Sequence, residues 1–176
     1  IKDGNFGKYY FEPFTTTIEK YSNTNGLLDA YRDGISEGVF KPQFHGREHV
    51  NVNRWLYALQ QGNSGLKEAF KHEMFTLPIS GGTSGRRDFL DSFGMAYPIE
   101  FESMESIVKS GMALFQEIWG YPSKSFIAPC YVWHSDLVPI VHREGVAFIQ
   151  GTHVQVQPKD GLELQIEKKY HYQGQR

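Results

Sequence analysis

The sequence predicts an α/β fold built on a parallel sheet, either open or closed into a barrel. Three observations carry that expectation. Residues 125–129 form a brief apolar run ended by Pro129, residues 135–143 repeat apolar positions at helical spacing, and Val146-Ala147-Phe148-Ile149 is a second apolar run, so this stretch reads β-α-β. Residues 39–44, bounded by Gly38 and Gly46, read as a strand that runs into a histidine-rich turn and then a helix. The composition, 40% hydrophobic and 15% aromatic over 176 residues, holds enough apolar material for the core of one domain. Strands that alternate with helices favour parallel pairing, and sites gather where such strands end and loops begin.

Element by element, residues 9–21 place Tyr10, Phe14, Ile18 and Tyr21 on one helical face, with Pro13 tolerated in the first turn. The run from Ser22 to Gly26 ends that helix. Residues 27–37 repeat the pattern through Leu28, Tyr31 and Ile35, with Gly38 as the stop. Pro42 excludes a helix interior for residues 39–44, which leaves a strand. Residues 51–61 predict a helix capped by Asn51 and ended by Gly62, with Val52, Trp55, Leu56 and Leu59 as its apolar stripe. A further helix is expected over residues 66–75. Residues 80–87, rich in glycine and serine, form a loop that could border a site. The strongest helical pattern covers residues 104–119, where Met104, Ile107, Val108, Leu114, Phe115, Ile118 and Trp119 make the buried stripe, Gly111 weakens the helix and Gly120 stops it.

Composition also excludes. Eighteen Lys and Arg against 20 Asp and Glu give a formal charge of −2 and no basic run, so there is no footprint for nucleic acid and no polybasic membrane anchor. No apolar stretch approaches the roughly 20 residues a bilayer span needs. The single cysteine, Cys130, excludes an internal disulfide and a thiolate-rich zinc site, while leaving the compartment, cytoplasm or cell envelope, open. The chain begins at Ile1 and ends at Gly174-Gln175-Arg176 directly after a strand-like run, and it reads as a single domain that is a piece of a longer protein.

Chemistry concentrates in Phe44-His45-Gly46-Arg47-Glu48-His49. Two histidines four apart meet on one face if the segment turns into a helix, and two neutral imidazoles can share a zinc ion when a third ligand, usually a carboxylate, joins them. The alternative is one exposed histidine and one satisfied by a backbone carbonyl. The same residues fit H-x-x-E-H, in which the glutamate is the general base of a zinc peptidase, provided the motif lies within a helix. The second feature is Phe126-Ile127-Ala128-Pro129-Cys130-Tyr131, a strand that exits on proline beside aromatic groups. No cation or base neighbours Cys130 in sequence, so a thiol nucleophile is disfavoured.

In this order the two features resemble the polysaccharide deacetylase family, metal-dependent carbohydrate esterases built on an irregular (β/α) barrel, and more narrowly a bacterial subgroup of deacetylase-like proteins. The resemblance spans residues 45–151. It implies that His45 and His49, in a motif similar to H-(S/T)-x-x-H with Gly46 in place of Ser or Thr, are metal ligands, with zinc the expected ion. It implies also that Ala128-Pro129-Cys130-Tyr131, similar to R-x-P-aromatic but with Ile127 in place of the arginine, places Cys130 and Tyr131 at the oxyanion or substrate. The next helix and strand are similar to the family's next α-β unit, without its D-x-x-D-W motif. The family's first motif supplies the base aspartate and the third ligand. Asp3 lacks an apolar strand before it, so the base is expected outside this chain, and Tyr170-His171-Tyr172 is only a loose match to the L-x-H segment of the last strand. The expected domain is therefore an incomplete barrel lacking N- and C-terminal strands. Its implied activity is removal of acetyl groups from a polysaccharide or related glycan; the alternatives are a non-catalytic carbohydrate-binding or scaffolding domain on the same fold, and the zinc peptidase.

Overall fold

The computed structural model describes Phe6 and residues 9–75, 89–96, 98–159 and 166–170. Asp3, the glycine-rich loop at residues 80–87, and His171 and Tyr172 lie outside them. The helices are α1 (Phe14–Ile18), α2 (Leu27–Ser36), α3 (Val52–Gln60), α4 (Ser64–Lys71), α5 (Phe101–Trp119) and α6 (Leu137–Arg143). The strands are β1 (Ser125–Phe126), β2 (Phe148–Ile149), β3 (Val154–Pro158) and β4 (Ile166–Tyr170). The fold is mixed α/β.

The parallel part is small. Strand β1 pairs with β2 in parallel, Ser125 opposite Phe148 and Phe126 opposite Ile149, with α6 between them in sequence, which is the β-α-β unit the pattern predicts. On the other side of β1, Phe44 makes a single parallel bridge to Phe126. The expected strand over residues 39–44 is thus reduced to its last residue, because Pro42 has no N–H to give a ladder. Expected burial also fails at β2: Val146 is buried, but Phe148 is 68% exposed, since β2 pairs only with β1 among the described residues.

Above this array lies α5. Its buried positions are Met104, Val108, Gly111, Met112 and Phe115, and they meet Phe44, Phe93, Phe126, Trp133, Leu137, Ile140 and Val141 in the main core. Leu114, expected on the stripe, turns out half-buried, and Met112 takes the inward place. A smaller cluster joins α3 to α4 through Leu59 and Leu66, with Phe89. Both helices start on asparagine caps, Asn51 Oδ1 accepting from the Arg54 N–H and Asn63 Oδ1 from the Leu66 N–H.

The N-terminal helices depart from expectation. Neither α1 nor α2 buries a residue fully, and Tyr10, Phe14 and Tyr21 stay exposed. Both touch the rest of the protein by ring contacts, Phe14 and Tyr31 each against Trp119, and Tyr31 against Phe40. A five-residue helix has too little surface to cover its apolar stripe. The C-terminal strands β3 and β4 form an antiparallel pair, and β3 is tied to the chain after Pro129 by a parallel bridge between Val132 and Val156.

Gly111 is required in α5 by close approach. A Cβ there would stand 2.8 Å from Phe44 Cζ and 2.9 Å from Arg47 Cβ, so the turn carrying the histidines can lie against the helix only where side chain is absent. Gly111→Ala would gain about 1 kcal/mol of helix propensity but overpack two fixed neighbours, at about 1–3 kcal/mol. The expected outcome is a midpoint of thermal unfolding lowered by a few degrees; a raised midpoint would show that the contact has slack.

Candidate metal-binding site at the strand ends

His45 leaves the array one residue after Phe44, and Ile127 leaves it one residue after Phe126, so the parallel bridge delivers both to one rim. The Ile127 N–H donates to the Phe44 carbonyl at 3.2 Å, and His45 Nδ1 lies 2.9 Å from the Ile127 carbonyl. A carbonyl only accepts, so Nδ1 carries a proton, and in the neutral ring this leaves Nε2 as the nitrogen open to a metal, the tautomer of a metal-ligating histidine oriented by a backbone oxygen. Two imidazoles that ligate one tetrahedral ion at about 2.0–2.1 Å have ring centroids roughly 5 Å apart. Those of His45 and His49 are 5.2 Å apart at an interplanar angle of 65°, and both side chains are exposed. The pair could therefore share an ion. Among the described residues no third histidine, cysteine or carboxylate joins them in a metal-holding group.

The approach of the rings does not come from a helix. Residues 45–51 are irregular and α3 begins only at Val52, so the helical face expected for the pair is absent. Gly46, at φ +104°, makes the bend, and a Cβ on it would stand 3.3 Å from the Glu48 carbonyl oxygen. This also removes the condition of the peptidase reading. Glu48 is moreover engaged, both carboxylate oxygens accepting from Arg47, Nε and Nη2 each at 2.6 Å.

Arg47 fixes the turn. Besides the fork to Glu48, its Nη1 donates to Ser110 Oγ and its Nη2 to Tyr9 Oη, both at 2.8 Å, while the guanidinium lies 5.0 Å from the centre of the Phe11 ring. The hydrogen bonds to Glu48 hold the guanidinium pKa above its ordinary value. Both side chains are about 15% exposed, so the pair is shielded enough to matter. At the other end of the turn, buried Asn51 donates from Nδ2 to the Asp91 and Gly94 carbonyls, and Arg54 makes a 2.7 Å ion pair with Asp91.

Pro129 stands at the same rim: a Cβ on Gly46 would lie 3.5 Å from Pro129 Cδ. The tight turn Pro129–Tyr131 holds Cys130 and Tyr131 both at φ +56°, a left-handed conformation uncommon for side-chain-bearing residues and found where structure over-determines it. The Tyr131 N–H donates to the Ala128 carbonyl at 2.9 Å, so that amide closes the turn, and the Tyr131 side chain is 40% exposed. Cys130 Sγ lies 3.5 Å from the Leu90 carbonyl. Ile127, where the resembled family has arginine, contributes its carbonyl, and that contribution has no sequence signal.

No family model, curated protein or solved structure matches the chain. The site therefore rests on its own geometry. Sequence reasoning overlooked Arg47 although it lies inside the motif, because a guanidinium between two histidines signals nothing until Glu48, Ser110 and Tyr9 are placed around it.

Arg47→Lys keeps the charge and loses the fork. The expected cost is about 1–3 kcal/mol of stability, the scale of hydrogen bonds to charged groups, together with broadened ring-proton resonances of His45 and His49. Thermal unfolding and proton NMR measure both, and unchanged histidine signals would show that Arg47 does not hold the turn.

Proposed function

We propose that His45 and His49 are two ligands of a divalent metal, zinc by the chemistry of paired imidazoles, in a hydrolase of the polysaccharide deacetylase type. The observation that carries this reading is the His45 Nδ1–H bond to the Ile127 carbonyl beside a second imidazole at metal-sharing distance. The parallel strands would belong to an irregular (β/α) barrel, and the substrate would be an acetylated glycan. The donor set fits the ion in part: two imidazoles lie side by side, and the reading assigns the third ligand and the catalytic base to a pair of aspartates outside this chain. A bound zinc ion would polarise the acyl carbonyl and acidify a water.

The chain's own residues have simpler tasks. Ile127 holds the His45 tautomer, Arg47 holds the turn that carries His49, and Tyr131 offers a ring at the rim where a sugar would lie. In the reaction, water oxygen bonds to the acetyl carbon, the bond from that carbon to sugar oxygen or nitrogen breaks, and the leaving group takes up a proton.

A second reading, a carbohydrate-binding or scaffolding domain, is favoured by Ile127, which stands where the resembled family has its arginine, and by the Tyr131 N–H, which the Ala128 carbonyl already takes. Two measurements separate the readings. Zinc affinity should fall by about a hundredfold or more in His45→Ala and in His49→Ala, and calorimetric titration with zinc tests this; affinity unchanged from that of the unsubstituted protein in both variants refutes the metal site. In a protein that carries these residues together with the aspartates the reading requires, acetate release from acetylated xylan and chitin oligomers should vanish with chelator and return with zinc, whereas this chain alone should release none. Metal bound through both histidines in that protein without acetate release on either substrate would favour the binding domain.

A further inference from the structure

A cavity of about 570 Å³ is lined by residues of the N-terminal segment 9–18 together with the histidine turn, the start of α3, Phe75 and Leu114 of α5. Its volume is that of a small-ligand pocket. Six aromatic residues contribute to the wall: Tyr9, Tyr10, Phe11, Phe14, Trp55 and Phe75. Tyr9, Tyr10, Phe14 and Phe75 are exposed, and α1 buries no residue fully, so apolar surface here meets water that a bound apolar ligand would displace. We propose that this cavity binds an uncharged, planar aromatic ligand the size of two fused rings.

Charge and ring content select that class. The charged residues of the wall are already matched: Glu12 accepts from the Thr17 hydroxyl at 2.8 Å and pairs with Lys20, and both Glu48 oxygens accept from Arg47. Arg47 in addition lies over the Phe11 ring at 5.0 Å and donates to Tyr9 Oη. A cation or an anion would therefore meet no unmatched counter-charge and would exchange water for a largely apolar wall. A sugar is disfavoured as well, since its hydroxyls would lie against rings and aliphatic side chains with few hydrogen-bonding groups among them. Against an aliphatic ligand stands the number of rings. An aromatic ligand gains offset-stacked or edge-to-face contacts beyond its buried area, and rings of this wall already pair with neighbours, Phe14 with Trp119 and Trp55 with Phe70, each at a centroid distance of 6.0 Å. Neither a metal at the histidine pair nor a glycan is needed for such binding.

The test is calorimetric titration of the protein with 2-naphthol, 2-naphthoate, 2-naphthylmethylamine, 1-octanol and cellobiose, with chelator present throughout so that the metal reading stands or falls separately. 2-Naphthol should bind saturably, and the other four should bind more weakly or not at all. Phe75→Ala, which removes an exposed ring of the wall, should weaken 2-naphthol by about threefold to tenfold, the scale of one ring–ring contact. Val52→Trp, at a half-buried position of the wall, should fill the space and abolish binding; its thermal midpoint shows whether it folds, and Phe75→Ala carries the comparison if it does not. Tyr21→Ala, which removes an exposed ring outside the cavity, should leave binding unchanged. The proposal is overturned if 2-naphthol does not saturate, if any of the other four binds tighter, if Phe75→Ala or a folded Val52→Trp binds as the parent does, or if Tyr21→Ala weakens binding as much as Phe75→Ala, which would mean adsorption to exposed rings.

Discussion

The site depends on one side-chain oxygen. Gln43 Oε1 receives the N–H groups of Lys124 and Ser125 at 3.0 and 2.9 Å, with the hydroxyls of Ser123 and Ser125 each at 3.1 Å. Two amide donors on one atom identify it as the oxygen, and the Gln43 Nε2 donates to the Pro42 carbonyl at 2.7 Å. An oxygen with two good lone-pair directions cannot satisfy four donors fully, so the hydroxyls share it: Ser123 Oγ lies 2.7 Å from the Ser125 carbonyl, and Ser125 Oγ accepts from Gln150 Nε2. The Phe44 N–H, in turn, donates to Ser123 Oγ. With two-residue strands, a parallel ladder has few backbone bonds of its own, and this lattice of side chains supplies the missing rungs. It fixes Phe44 against Phe126, and that bridge sets His45 beside Ile127.

Beyond the bridge the chain enters a turn held from three directions rather than by regular structure. Gly111 lets the turn lie against α5, Arg47 staples it to α5 and to the N-terminal segment, and Asn51 ties its far end to residues 89–94 while capping α3. These partners come from stretches 38 to 63 residues away from Arg47 and 40 to 43 from Asn51, so the histidine pair is a product of tertiary structure. A helix would have set the rings by periodicity alone. Here their separation depends on packing, which ties any metal affinity to the stability of the fold.

The longest amphipathic element, α5, was legible because a helix of 19 residues repeats its stripe often enough to be read, and α3 and α6, though shorter, also lie where the spacing places them. The β-α-β unit was legible for the same reason. Strand β3 was hidden by an inversion. Its inward side chains are Gln155 and Gln157, nearly fully buried, whereas Val154 and Val156 face outward and are half-buried, the reverse of what alternation implies. The glutamines are satisfied by long-range partners, Gln155 Nε2 donating to the Trp133 carbonyl and Gln157 Oε1 accepting from Ser135, and no local pattern announces such bonds. The histidine motif could be read as a pair; the non-helical route by which the rings meet, and the roles of Gln43 and Arg47, could not, because each is defined by residues remote in sequence.

Register explains why the pair stands at a rim at all. Side chains on extended backbone alternate between faces, and Phe44 is buried to 2% while Gln43 and His45 on either side of it are not. A slip of one residue would exchange these faces, driving an imidazole into the space between Phe115 and Phe126 and exporting a phenylalanine. That exchange would leave a polar ring without partners in an apolar core and would empty the Gln43 oxygen of its donors at the same time. The aromatic packing of Phe44 and the polar lattice around Gln43 therefore enforce the same register from opposite faces of the backbone. Because the next residue, His45, is the one whose Nδ1 meets the Ile127 carbonyl, core packing and imidazole tautomer are set by a single alignment of two short strands.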